Sequence, residues 1–225
     1  MIIACDTSSS ICSVALVHDG EVMYKEEAHG GQIHIEQLTP FLKLALDMAQ
    51  ASGNTLEALG IAIGPGSFNG LRIGLASMKA LAQTQGLPLI PVPTTDALAY
   101  SARNNISGSC RAVIFSHRDF VHTADYTLEK NGTINTPDFK YSSWDHLFQD
   151  GVDHYFGTAD RGFADWLAGE SGQTVNSKFY NLEADAAQVA LLAEIRSDEK
   201  VFNFDELEPF YNAEYAAKKW VPPSF

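Results

Sequence analysis

The sequence predicts an α/β fold of two related lobes, on three observations. The first block of the chain reads strand, strand, strand, helix, strand, helix. A second block, from about residue 106, loosely repeats that order, which suggests a duplicated unit. The chain is 225 residues long with 45% apolar and 19% charged side chains, ordinary globular composition and somewhat long for one compact domain.

Residues 2–6 and 11–17 are β-branched and apolar runs joined by Thr7-Ser8-Ser9-Ser10, and Asp19-Gly20 turns the chain into a third strand at 21–24. Over 34–50 the apolar residues Leu38, Leu42, Ala45 and Ala49 recur at helical spacing. Pro40 leaves two arrangements open: Thr39 caps a helix that begins at Pro40, or an earlier helix kinks there. Residues 58–63 read as a buried strand, 71–83 as a helix, and 87–92 as a strand ending at Pro93. Thr94 or Thr95 is then expected to cap a helix through Ala102.

In the second block, 112–115 and 120–128 read as a hairpin, 143–148 as a short helix, 154–156 as a strand, 162–167 as a helix and 184–195 as a longer helix. The expected lobes are 1–105 and a smaller 106–204. The aromatic tail, with Phe210, Tyr211, Tyr215 and Trp220, returns over about 205–225 to pack on the first lobe.

Apolar runs are far short of the roughly 20 residues that a membrane span needs, and no basic flank follows Met1, so neither a span nor a cleaved signal peptide is expected. Cys5, Cys12 and Cys110 make no even disulfide framework and no zinc spacing, which points to a reducing, cytoplasmic setting. The net charge of −13 opposes the counterion release that drives nucleic-acid binding, so RNA is expected to be reached only through partners.

Two stretches invite a phosphate reading. Asp6, Thr7 and Ser8 put a carboxylate and hydroxyls on a turn at the end of the first strand, although short polar side chains also satisfy turn amides. Gly64-Pro65-Gly66-Ser67-Phe68-Asn69-Gly70-Leu71-Arg72-Ile73-Gly74 lies between a strand and a helix, where free amides and the helix dipole make an anion site. It is neither a Walker loop nor G-x-G-x-x-G. Close backbone approach at Gly64 and Gly66, with a cap from Ser67 or Asn69, would also account for it.

The pairs His29/His34 and His117/His122 are each five apart, which serves shared metal coordination on neither a strand nor a helix, and no metal site is expected. His117-Arg118-Asp119 matches a kinase triplet in letters only, and no G-x-S-x-G nucleophile motif occurs.

Asp6-Thr7-Ser8, His34 followed by Leu38-Thr39-Pro40, and above all the 64–74 stretch closely resemble the TsaB (YeaZ) family. The resemblance is strong over residues 1 to about 100 and weaker through 87–92, 95–102, Pro209 and Tyr211. It implies an actin-like ATPase (ribonuclease H-like) fold. It also implies a non-catalytic subunit that works with a TsaD-type transferase, and with a TsaE ATPase through the complex. Their product is threonylcarbamoylation of the adenosine beside the anticodon in tRNAs reading codons that begin with A.

No catalytic residue and no cofactor is expected on this chain alone; a nucleotide would belong to a subunit interface. The catalytic relatives carry an H-x-x-x-H metal pair, whereas Pro93-Thr94-Thr95-Asp96-Ala97-Leu98-Ala99-Tyr100 has no histidine here. The family's hairpin Asp-Ala-Arg-Arg-Gly-Glu-Val-Tyr is replaced by residues 115–122, and Tyr211-Asn212 replaces Tyr-Leu-Arg, so the second lobe is divergent. Two other classes compete: a small-molecule kinase or ATPase whose Asp6 holds Mg-phosphate, and a metallopeptidase-like enzyme lacking visible ligands.

A helical wheel at about 100° per residue gives the expected partner face. Ile35, Leu38, Leu42, Ala45, Leu46 and Ala49 share one inward stripe, leaving Phe41, Leu44 and Met48 as a second. In the next helix Leu71, Leu75, Met78 and Ala82 point inward, leaving Ile73, Ala76, Ser77 and Ala80 as a face of mostly small residues. The second lobe or the tail would cover these faces within one chain; the resemblance implies instead that they pair subunits, in a homodimer when the chain is alone.

Overall fold

The computed structural model describes residues 1–30, 33–117, 119–130, 132–147, 151–158, 161–169 and 178–211. Strands β1 (Ile2–Asp6), β2 (Ile11–His18), β3 (Glu21–His29), β4 (Ala58–Gly64) and β5 (Leu89–Pro93) form one sheet in the order β3-β2-β1-β4-β5. β1 pairs antiparallel with β2 and parallel with β4, while β2–β3 is antiparallel and β4–β5 parallel. The second sheet repeats this plan with β6 (Gly108–His117), β7 (Phe120–Leu128), β8 (Phe139–Ser143), β9 (His154–Thr158) and β10 (Phe179–Asn181), in the order β10-β9-β6-β7-β8. β6–β7 and β7–β8 are antiparallel, β6–β9 and β9–β10 parallel. One ribonuclease H-like unit therefore occurs twice, which is the actin-like arrangement.

Helices α1 (Ile33–Ser52) and α2 (Phe68–Gln85) provide the crossovers between the parallel strands of the first sheet. They bury Leu38, Leu42, Ala45, Ala49, Leu75, Met78 and Ala82 against Ile3, Cys5, Val14, Leu16, Leu59 and Ile61. Alternation along the strands sends Ile2, Ala4, Ala15, Val17, Ala58 and Ala62 to the opposite face. There they meet α3 (Thr94–Ala102) and α5 (Ala186–Ile195), which also touch Cys110, Ala112, Ile114, Ala124, Tyr126 and Phe156 of the second sheet. The largest core thus lies between the sheets. Helix α4 (Arg161–Ala168) covers the far side of the second sheet, over Val113, Val121 and Tyr155.

Helix α5 packs on the first sheet although it follows the second in sequence. Its buried set, Ala186, Ala187, Val189, Ala190, Leu192 and Ala193, suits a helix enclosed on most sides. A Cβ on Gly60 would lie 2.9 Å from the Cβ of Ala4 and 3.0 Å from that of Ala193, so the absent side chain lets α5 lie against β4.

Several local expectations change. Pro40 lies inside α1, so the helix begins well before the proline. Ile35 is 68% exposed rather than inward, because the buried stripe starts only at Leu38. The N-cap of α3 is Pro93, with Thr94 and Thr95 buried inside the helix and no side-chain cap. The expected short helix is a 3-10 turn at Trp144–His146. Strands β8 and β10 were not anticipated. Arg118, Phe148, Tyr215 and Trp220 lie outside the described residues.

Candidate functional site

The turn after β1 and the loop before α2 are one assembly. The Thr7 hydroxyl donates to the Gly70 carbonyl at 2.8 Å, and the Ser67 amide donates to the Ser8 carbonyl at 2.6 Å. Glycines make this approach feasible. A Cβ would sit 2.3 Å from the Ser8 carbonyl oxygen if placed on Gly66, 2.0 Å from that of Thr7 on Gly70, and 2.2 Å from Thr7 Oγ1 on Gly74. Ser67, not Asn69, caps α2, accepting from the Gly70 amide at 3.2 Å. The amides of Ser67, Gly70 and Leu71 therefore all donate within the protein.

Asp6 lies at the end of β1 with 2% exposure. Its Oδ1 accepts the Ser8 amide at 2.7 Å, while Oδ2 is buried with no hydrogen-bond partner. Burial pushes the carboxyl up from 3.8 to about 6, against hydrogen bonding from Ser8 that pulls it down, with the charge of Asp185 adding to the rise. Asp185 caps α5 and pairs with Lys25 at 2.5 Å, and the Ala186 amide donates to Ser13 Oγ at 2.9 Å. The β1–β2 turn, the α2 loop and the start of α5 thus converge at the strand ends, where open α/β sheets place their ligands.

The second candidate surface lies on the outer side of the first lobe, where α1 and α2 are neighbours. Leu44 and Met48 are 47% and 43% exposed, and Ala76 and Ala80 are exposed as well. Phe41, Ile73 and Ser77 are half-buried, with Phe41 and Ile73 also packing on the lobe's own core. Among the described residues, then, the second lobe does not cover Leu44, Met48, Ala76 and Ala80.

The returning tail runs beside α2. Val201 bridges Leu89, Phe204 and Leu207 pack on the α1–α2 core, and Lys79 donates to the Asp205 carbonyl at 3.0 Å. The Phe210 amide donates to the Ile63 carbonyl at 2.7 Å, and its ring lies 4.7 Å from that of Phe139 in the second sheet.

Two clusters escaped the sequence reading. Asp96, fully buried on α3, accepts from the Tyr126 hydroxyl at 2.6 Å and from Thr136 Oγ1, and pairs with Arg196 at 2.8 Å. Arg196 also donates to the Ile134 carbonyl at 2.9 Å, so this network joins α3 and the end of α5 to the second lobe. His18, Asp19 and Glu194 gather their ligand atoms within 4.8 Å of one another. The Glu194 carboxylate there accepts the Asp19 and Gly20 amides, at 2.9 and 2.7 Å. His34 contacts the Ile11 carbonyl at 3.1 Å, while His117 and His122 both lie against the Tyr141 ring, and burial, with a smaller effect from the neighbouring His117, lowers the His122 pKa to about 4.

Comparison with known proteins agrees with this architecture. Residues 26–130 match the family model for TsaD, tRNA N6-adenosine threonylcarbamoyltransferase. The tRNA threonylcarbamoyladenosine biosynthesis protein TsaB of Escherichia coli (strain K12) is 28% identical, over 98% of both chains. The TsaB protein of Haemophilus influenzae is 35% identical over 45% of this chain and 42% of its own length. The solved structure of YeaZ from Pseudomonas aeruginosa superposes with a TM-score of 0.72 at 21% identity, over 93% of this chain and 98% of that one, and so shares the fold. With 28% identity to TsaB along nearly its whole length, the 64–74 stretch and the doubled sheet plan, the chain is similar to the TsaB (YeaZ) proteins and shares their fold.

Proposed function

We propose that this chain is a non-catalytic interaction subunit in tRNA threonylcarbamoyladenosine synthesis, docking on a TsaD-type transferase through the α1–α2 face. The observation that carries the reading is the exposure of Leu44 and Met48 on α1 and of the small residues Ala76 and Ala80 on the neighbouring α2, two helices each anchored by a buried inward stripe. Small residues permit a close helix–helix approach, and the large ones supply the burial. The relatives' role in making threonylcarbamoyladenosine supplies the reaction. Within it, TsaE and tRNA are reached through the complex, and alone the chain self-associates through the same face. The test is reconstitution: the cognate transferase with its threonylcarbamoyl donor should modify tRNA when this chain is added and not without it. Full modification in its absence would refute the proposal.

Asp6 supports a second reading, in which a nucleotide enters at the strand ends, because its Oδ2 is buried with no hydrogen-bond partner. Titration calorimetry with Mg-ATP decides it: heat lost in Asp6→Ala would favour an ATPase or kinase, and no heat with the wild type would remove it.

A further inference from the structure

We infer that Arg72 is a pre-oriented anchor for a carboxylate on the protein that covers the α1–α2 face. Phe68, Arg72, Ala76 and Ala80 follow one another at intervals of four on α2 and so form a single ridge. The arginine is held at its start. Its Nε donates to the Tyr211 hydroxyl at 3.1 Å, and its guanidinium carbon lies 4.1 Å from the Phe68 ring centroid and 5.9 Å from that of Tyr211. Those two rings lie 4.9 Å apart at 37°.

Among the described residues, this arrangement places the guanidinium without satisfying its Nη groups. Among the described residues no ion pair to a carboxylate is found for Arg72, and Nε to the Tyr211 hydroxyl is its hydrogen bond. Phe68 is 49% exposed, so the stack is presented at the surface rather than buried as core. A guanidinium fixed by stacking loses less rotamer freedom on binding than a free one, and its planar fork matches a carboxylate in two hydrogen bonds. The ridge continues into Ala76 and Ala80, so a partner helix on the small residues would bring its acidic side chain to Arg72. A charge of −13 disfavours a tRNA backbone as the occupant.

This inference rests on the partner reading above, and binding to the purified transferase tests both. Arg72→Gln keeps much of the stem and removes the charge; Arg72→Lys keeps the charge and loses the fork; Tyr211→Phe keeps the stack and loses the hydrogen bond. The expected result is about tenfold weaker binding for Arg72→Gln at low salt, with the gap closing near 0.5 M salt. Losses of about three- to fivefold are expected for the other two, with melting temperatures unchanged. Wild-type affinity in Arg72→Gln, or a loss confined to tRNA binding, overturns the anchor and leaves the interaction subunit standing. Failure of the wild-type chain to bind the transferase overturns both.

Discussion

At the scale of single residues, Asp6 is the group whose chemistry departs most from its surroundings. Its Oδ2 is enclosed without a hydrogen-bond partner and its pKa is raised to about 6. A carboxyl with a higher pKa in the fold than in the unfolded chain binds more protons when folded, so its contribution to stability is present at low pH. That contribution is lost as pH rises from about 4 through about 6. Asp6→Asn should therefore stabilise the protein at pH 7.5, by about 1–2 kcal/mol once the new amide's unmet donors are allowed for. The difference should shrink below pH 4. Urea unfolding at the two pH values measures it, and a constant difference would assign the effect to something other than the charge. The glycines beside it serve a plainer purpose, since Gly66, Gly70 and Gly74 stand where a Cβ would meet Ser8 or Thr7.

At the scale of elements, α1 and α2 each carry a buried inward stripe, and beside it Leu44, Met48, Ala76 and Ala80 stay exposed while Phe41 and Ile73 lean on the core. Leu44→Glu or Ala80→Arg should leave a folded monomer that no longer self-associates or captures the transferase, whereas Leu42→Glu, at a buried position, should unfold the lobe. Light scattering, a pull-down and a thermal melt separate these outcomes. Unchanged mass and capture for both surface variants would discard the face.

These helices were legible because their stripes repeat every three or four residues, and Ser67 before a helical run is a readable cap. Strand β10 has only three residues, and β8 shows no buried alternation, so neither carries a period to read. Pro93 took the cap expected of a threonine because Thr94 and Thr95 were drawn into the core as part of the helix itself. The turn at Asp6 and the loop at 64–74 could each be found by eye, but their mutual use of amides and carbonyls depends on an approach between segments some sixty residues apart. Arg72 and Tyr211 are separated by 139 positions, and no local pattern joins them.

At the scale of the whole molecule, the two sheets are held together through α3, α5 and the network centred on Asp96. Asp96→Asn would leave Arg196, 7% exposed, without its buried countercharge and with only the exposed Glu199 carboxylate, 4.0 Å from Nε. Breaking a buried pair from one side costs about 3–5 kcal/mol, so the variant should melt well below the wild type. Pairing Asp96→Asn with Arg196→Met should recover part of the loss; a single variant as stable as the wild type would show that the lobes do not depend on this pair. With that frame rigid, Asp6 and the α1–α2 face are separate places, and they can be tested against each other. Reconstituted tRNA modification by the transferase, supported in turn by wild type, Asp6→Asn and Leu44→Glu, is the most direct measurement. If the chain acts by docking, Asp6→Asn sustains modification and Leu44→Glu, still folded, does not. Modification lost with Asp6→Asn and retained with Leu44→Glu would contradict the account and place the chemistry at the strand ends of this chain.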